Sequence, residues 1–299
     1  MIIDSHAHYC NSAYRKPFRY LAVDEGEYTV REGELPQLLS QLESAGILGS
    51  IEPGVDLASC AHILEFCREH PGRVFPAIGL HPTRCIFEAW ANRRQLMALA
   101  ESPGVVAIGE TGLDYHFPRH QQQRLKQHIW FLYQLELARK LQKPVILHVR
   151  DAHEAALRIL RIHPARKLGG VIHCFHGSWE TARQYLDLGY HIGIGGSALQ
   201  QPERAEPLWE AIRQIPLERI LLETDAPYIL PYCKDVLPSK LVRRAKNTSL
   251  ILPTVALKIA ELKNITPEEV EAVTTQNTIR LFRLPEKLFR NTDPQEKLD

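Results

Sequence analysis

Residues 1–8 read Met1-Ile2-Ile3-Asp4-Ser5-His6-Ala7-His8, a short apolar run that stops on two histidines two residues apart. The run reads as a strand, and in a strand residues two apart face the same way, so both imidazoles point at one place. Neutral imidazoles are good ligands for zinc and related divalent ions, and a pair from one strand leaves the remaining positions to other strands. Seven more runs of the same kind follow: Gly46–Pro53, Arg73–Leu80, Gly104–Gly109, Pro144–Val149, Gly170–Phe175, Gly189–Gly195 and Arg219–Thr224. Helical spacing of apolar residues separates them, over Leu35–Leu42, Ala61–Cys67, Leu96–Ala100, Arg124–Leu141, Ala155–Ile162 and Leu208–Ile215. Near-continuous Val/Ile/Leu strands alternating with helices make a parallel sheet covered on its outer face. Eight such units predict a single-domain α/β fold, the (β/α)8 TIM barrel. An open doubly wound sheet is the alternative, but no glycine-rich phosphate fingerprint follows the first strand. Helices at about Ser249–Lys263 and Pro267–Phe282 complete the outer ring, giving a barrel over 1–284 and a charged, mobile tail over 285–299.

Composition narrows the class. The 299 residues are 44% hydrophobic and 24% charged, as in an ordinary globular protein with a large core. The formal net charge of +1 offers no argument for non-specific adhesion to nucleic acid or anionic membranes, so any phosphate recognition is local. The opening is too short in apolar residues for a signal-peptide core and no stretch reaches membrane-spanning length, so a cytoplasmic protein with no membrane partner is expected. The six cysteines, scattered without a CxxC pair, are expected to be reduced. Nothing in the chain points to an obligate protein partner.

In a parallel barrel, chemistry collects at the carboxyl ends of the strands. Those ends carry His6 and His8 on the first strand, His81 on the third, Glu110 and Asp114 on the fourth, His148 and Arg150 on the fifth, His173 and His176 on the sixth, and Glu223 and Asp225 on the eighth. Four imidazoles and two carboxylates on converging strands would furnish two metal ions about 4 Å apart, one carboxylate bridging.

The ordered set HxH, GLHP, GETGLD, ILHVR, HCFHG and ETDAPY resembles the TatD family of metal-dependent deoxyribonucleases, within the amidohydrolase-like metal hydrolases. The resemblance runs from Met1 to Phe282. It implies that His6, His8, Glu110 and Asp225 hold one metal and that Glu110, bridging, holds the second with His148 and His173. Many members of the superfamily carry a modified lysine at the bridging position, whereas this chain has Glu110. Such ions lower the pKa of a bound water and stabilise charge on phosphate oxygens, with Asp225 placed to take the water's proton. Arg150 is expected on a non-bridging phosphate oxygen and His81 either on substrate or closing the Leu-His-Pro turn. Glu223 reads as a contact for a further ion or a substrate group or as a residue orienting a histidine, Asp114 as a turn residue or acceptor, and His176 as substrate-side or incidental, not a ligand. Histidines in helical stretches, such as His62, His128 and His153, read as surface or packing residues, and strand alternation turns Cys10 and Cys174 away from the site.

Two segments bear on substrate. Lys234, Lys240, Arg243, Arg244 and Lys246 crowd the loop after the eighth strand, where barrels often bind phosphate. In place of the family's Arg-Asn-Glu-Pro-like element the chain reads Arg244-Ala245-Lys246-Asn247-Thr248-Ser249, with Asn247 matching the element's Asn as a substrate contact. The loop Tyr9–Gly33 mixes Tyr14, Phe18, Tyr20 and Tyr28 with Arg15, Lys16 and Arg19, a pattern that stacks bases, forms a structural flap or contacts another subunit. The function expected is a deoxyribonuclease acting on single strands or ends, with two divalent ions chosen among zinc, manganese, iron and magnesium. An ester or amide hydrolase, such as an aminoacyl-tRNA deacylase or a small-metabolite hydrolase, uses the same centre. A non-catalytic binding protein is the third reading, set against a complete ligand set.

Overall fold

The computed structural model describes residues 1–24, 26–117, 122–233 and 235–289. Its strands are β1 (Ile2–Asp4), β2 (Phe18–Asp24), β3 (Glu27–Gly33), β4 (Ile47–Pro53), β5 (Val74–Ile78), β6 (Ala107–Asp114), β7 (Val145–Arg150), β8 (Gly170–Ile172), β9 (His191–Ile194), β10 (Ile220–Leu222) and β11 (Ala245–Lys246). Eight of them form one all-parallel sheet in the order β1-β4-β5-β6-β7-β8-β9-β10. The Ser5 amide donates to the Leu222 carbonyl at 2.9 Å and Ala7 bridges Ala226, drawing the first and last strands together. The chain is therefore an eight-stranded barrel of the TIM type, ringed by helices such as Leu57–Glu69, Arg124–Leu141 and Leu252–Lys263. None of these is long and apolar enough to cross a membrane.

The strand period of two sorts each inward face along the barrel axis. Ile146, Val171 and Leu221 join Ile3, Ile51, Phe75, Ala77 and Ala107 in one apolar cluster that fills the barrel, closed below by Ile279, Phe282, Leu284 and Phe289. Two residues further along their strands come His148, His173 and Glu223. A larger cluster lies between the barrel and its helices.

One expectation is corrected and one open alternative narrowed. The charged tail expected from Pro285 does not begin there. Glu286–Leu288 is a short 3-10 turn, and Phe289 is buried with its ring 6.1 Å from that of Phe75. Residues 290–299 lie outside the described residues. The Tyr9–Gly33 loop is not an aromatic surface at the mouth: β2 and β3 pair as an antiparallel hairpin, β11 adds to β2, and Tyr14, Phe18 and Tyr20 are buried. Ring contacts of 5.3, 4.8 and 5.5 Å run from Tyr9 through Tyr14 and Phe18 to Tyr20. Burial of these rings stabilises by roughly 1.5–3 kcal/mol each, which favours the flap reading over stacking of bases.

Candidate metal centre

Glu110, 3% exposed on β6, is the hub at the carboxyl end of the barrel. Its Oε2 faces His6 Nε2 at 3.5 Å and His8 Nε2 at 3.8 Å, while Oε1 faces His148 Nδ1 at 2.9 Å, His173 Nε2 at 2.8 Å and His81 Nε2 at 3.3 Å. Asp225 Oδ1 completes the first side, 3.5 Å from His6 Nε2 and 3.3 Å from His8 Nε2. The two rings within each histidine pair approach nitrogen to nitrogen at 3.1 Å. Zinc–nitrogen bonds of about 2.0–2.1 Å in a tetrahedron put neighbouring ligand atoms about 3.3 Å apart, so these separations suit a shared ion. Three overlapping trios, His6/His8/Asp225, His6/Glu110/His173 and His81/Glu110/His148, each bring their donor atoms within 4.8 Å. The donor set is imidazole and carboxylate throughout, which fits divalent metals of the zinc, manganese and iron kind.

Electrostatics records the same crowding. Burial would raise Glu110, but the imidazoles of His173, His81 and His148 hold it well below the usual carboxylate range. Burial is likewise outweighed at Asp225, lowered by its hydrogen bond with His8 and by the surrounding rings. Burial would lower His8 and His148, yet Asp225 lifts the first to about 9, and Asp114 with Glu110 lifts the second to about 9. His6, desolvated and beside His173, falls to about 4. Without a metal, protons on His8 and His148 balance the carboxylates.

Groups behind the ligands fix their aim. Asp114 Oδ2 lies 3.2 Å from His148 Nε2, leaving Nδ1 for the centre. Buried Asp4 accepts from the His6 amide at 3.0 Å, the Thr224 hydroxyl at 2.6 Å and the Ser249 hydroxyl at 2.6 Å, tying the first strand to the loop that carries Asp225. Burial outweighs these bonds and raises Asp4 to about 6. Glu223 is 1% exposed and accepts from the Cys174 amide through Oε1, so it braces the turn after His173. Gly112 has φ 142° and pairs with His148; a Cβ there would meet the His148 carbonyl at 2.0 Å, so only glycine lets β6 and β7 close at ligand level.

Other expected residues are placed differently. His81 accepts from the Thr83 amide through Nδ1 at 3.1 Å while Nε2 faces Glu110, so it closes its turn and enters the centre together. Arg150 lines the cleft above the centre, its guanidinium 5.6 Å from the Phe117 ring. Asn247 is corrected: fully buried, it donates to the Thr224 and Ile229 carbonyls and accepts from the Thr248 amide, out of reach of a substrate. Lys240, Arg243, Arg244 and Lys246 do not line the cleft, and Lys234 lies outside the described residues. His176 is exposed, its ring nitrogen on the Cys174 carbonyl, away from the centre. His128 pairs with the Tyr115 hydroxyl and His153 with that of Tyr185, whereas His62 and Cys10 line the cleft, against their reading as bystanders. All six cysteines are free.

Glu52 was missed. It lies next to the end of β4, is fully buried, and accepts from the Tyr9 and Cys10 amides at 2.9 Å each, pinning the backbone that follows His8. Its signal was a charge inside the apolar run Gly46–Pro53.

The model of the TatD related DNase family matches residues 3–283. The chain belongs to the TatD-related DNase family. A 3'-5' ssDNA/RNA exonuclease TatD of Edwardsiella piscicida is 36% identical over 252 residues, 84% of this chain and 94% of the relative. The metal-dependent hydrolase YabD of Bacillus subtilis (strain 168) is 30% identical over 284 residues, 95% of this chain and 100% of the relative. The crystal structure of YjjV, a TatD homologue from Escherichia coli K12, superposes with a TM-score of 0.80 at 27% identity, over 95% of this chain and 98% of that one. With the TatD-related fold and this donor set, the chain is a hydrolase.

Proposed function

We propose that this TatD-related protein is a cytoplasmic, two-metal nuclease that cleaves phosphodiester bonds at the ends of single-stranded DNA. The observation that carries the reading is Glu110, whose two oxygens divide the imidazoles into the pair His6 and His8 and the pair His148 and His173. That division supports two ions with Glu110 between them, Asp225 joining the first pair. Held there, divalent ions would supply a water of lowered pKa and positive charge opposite the phosphate oxygens.

The chain's own groups do the rest. Asp225, with its Oδ1 turned to His6 and His8, is the carboxylate positioned to accept the attacking water's proton. Arg150, on the cleft wall, holds a non-bridging phosphate oxygen; a guanidinium fork suits that oxygen and has little use on a neutral ester. His81 Nε2, 3.3 Å from Glu110, is the imidazole nearest the centre whose other nitrogen is committed to its own turn, which suits it to the leaving oxygen. The name of the Edwardsiella relative supports single strands as substrate, and the free cysteines support the cytoplasm.

The test is hydrolysis by metal-stripped protein re-supplied with single metals, on labelled single-stranded DNA and on neutral esters. Arg150→Met should lower DNA cleavage by about 2 kcal/mol of transition-state stabilisation and barely change ester cleavage. Equal loss on both substrates, or loss on the ester alone, would favour the ester or amide hydrolase reading.

A further inference from the structure

The cleft above the metal centre has a volume of about 620 Å³, well inside the roughly 300–1,000 Å³ of pockets that enclose whole organic ligands. A scissile phosphate at Glu110 leaves most of it to be filled. The surplus lies toward the first loop and the start of the helix Leu57–Glu69, where Ala58, Ser59 and His62 form part of the wall. Arg15, just after the 3-10 turn Ser12–Tyr14, and Arg84, in the short helix Pro82–Cys85 that follows His81, line this wing from two separate segments. Both are exposed and have no ion-pair partner among the described residues.

The carboxylates that line the cleft are all committed. Glu110, Asp114 and Asp225 belong to the centre, and Glu52 has both oxygens taken by the Tyr9 and Cys10 amides. Among the described residues that line the cleft, none of these carboxylates forms an ion pair with Arg15 or Arg84. In a chain whose net charge is only +1, these two guanidiniums without an ion-pair partner line the same cleft as the centre. Glu52 fixes the root of the loop bearing Arg15, and His81 fixes the root of the short helix bearing Arg84, so both cations stand on braced supports.

We propose that this wing is a second phosphate subsite, in which Arg15 and Arg84 hold the phosphodiester next to the scissile one on the same strand. The inference rests on the nuclease reading and goes beyond it: the protein measures more than one linkage, and prefers a substrate with at least two. A phosphate contact by a flexible cation raises affinity without reading sequence, so the preference is for charge and length, not bases.

Trinucleotides separate the possibilities. The probes are thymidine dinucleotide, the all-phosphate trinucleotide, and two trinucleotides in which one or the other linkage is an uncharged methylphosphonate. With the metal-loaded wild type, the trinucleotide should be cleaved about 10-fold more efficiently than the dinucleotide, and one of the two neutral-linkage isomers should lose that advantage. In the doubly substituted Arg15→Gln/Arg84→Gln protein, the trinucleotide-to-dinucleotide ratio should fall toward 1 and the neutral linkage should cost nothing further. The salt dependence of trinucleotide KM should also become shallower, by about 0.7 in the log–log slope for one lost contact on a single strand. Both arginines are exposed, so the variant is expected to fold. A wild type that cleaves dinucleotide and trinucleotide equally, or a variant that keeps the ratio, overturns the subsite while leaving the nuclease reading intact. Hydrolysis of neutral esters with no cleavage of any nucleotide overturns both.

Discussion

The two ends of the barrel are built from the same strands to opposite ends. At the amino end the inward positions are Ile3, Ile51, Ile146, Val171 and Leu221, sealed by Phe282, Leu284 and Phe289. One strand period later the same faces carry His148, His173 and Glu223. The lower end is held by burial and needs shape more than identity, since volume-conserving apolar changes are tolerated. The upper end buries carboxylates and imidazoles that are favourable only as a complete set, since each charged group alone would bear the cost of desolvation. Stability is therefore concentrated below and chemistry above, and the two should fail separately.

The comparison breaks if they do not. The largest effect is expected from Phe282→Ala, which should lower the unfolding free energy by about 3–5 kcal/mol through loss of apolar contact and a residual cavity. Chemical denaturation should register it, while activity per folded molecule stays near wild type; a large activity loss in folded protein would tie the two ends together. Asp225→Asn should do the reverse, lowering hydrolysis about 100-fold or more, equivalent to about 2.7 kcal/mol, while the metal-free denaturation midpoint, moved only by the loss of the counter-charge to His8, shifts less than in Phe282→Ala.

A pH titration sharpens the contrast. His8 and His148 carry protons up to about 9 in the metal-free protein and must lose them to bind an ion. Metal affinity, measured calorimetrically in buffers of different ionisation enthalpy, should weaken about 10-fold per pH unit for each displaced proton as pH falls from 9 toward 7. Absence of proton release would show that these rings are not ligands. The smallest effect is expected from His191, at the start of β9. Its ring is pushed by burial, and by Arg219, from the ordinary 6.5 down to about 4. Because the unfolded chain takes the proton first, wild-type stability should fall as pH drops from 6.5 to 4. Relative to His191→Phe the change should be about 1–2 kcal/mol, reduced from the full shift because the ring is partly exposed. A parallel pH profile in the two proteins would remove this cost from the lower end.

What was legible in the sequence follows the same division. The eight strands and the ligands at their ends were readable because each ligand lies in the same short segment as the apolar run that aims it, as with Ile146 and His148. What escaped depends on partners far along the chain. Glu52 acts on amides 43 and 42 residues away, and Asp4 on Ser249, 245 residues away. Asn247 looks like a substrate contact by motif because its amide suits either role; only burial against the Thr224 and Ile229 carbonyls decides it. The aromatics of the first loop had no period to choose between stacking and packing, and Phe289 stood alone in a charged stretch, too short a signal for an apolar plug.

The seam between β1 and β10 has a consequence for how the protein is made. Asp4 and Thr224, which tie the ligand-bearing segments together across that seam, are separated by 220 residues. On a ribosome, His6 and His8 emerge first and Asp225 long afterwards, so the histidine pair spends most of synthesis without its carboxylate. A chain that stops before the eighth barrel strand lacks Asp225 and the strand that closes against β1, so His6 and His8 keep neither their carboxylate nor their place beside Glu110. The centre is therefore assembled last: the segment made first waits for the segment that carries Asp225 before its histidines face a carboxylate across the seam.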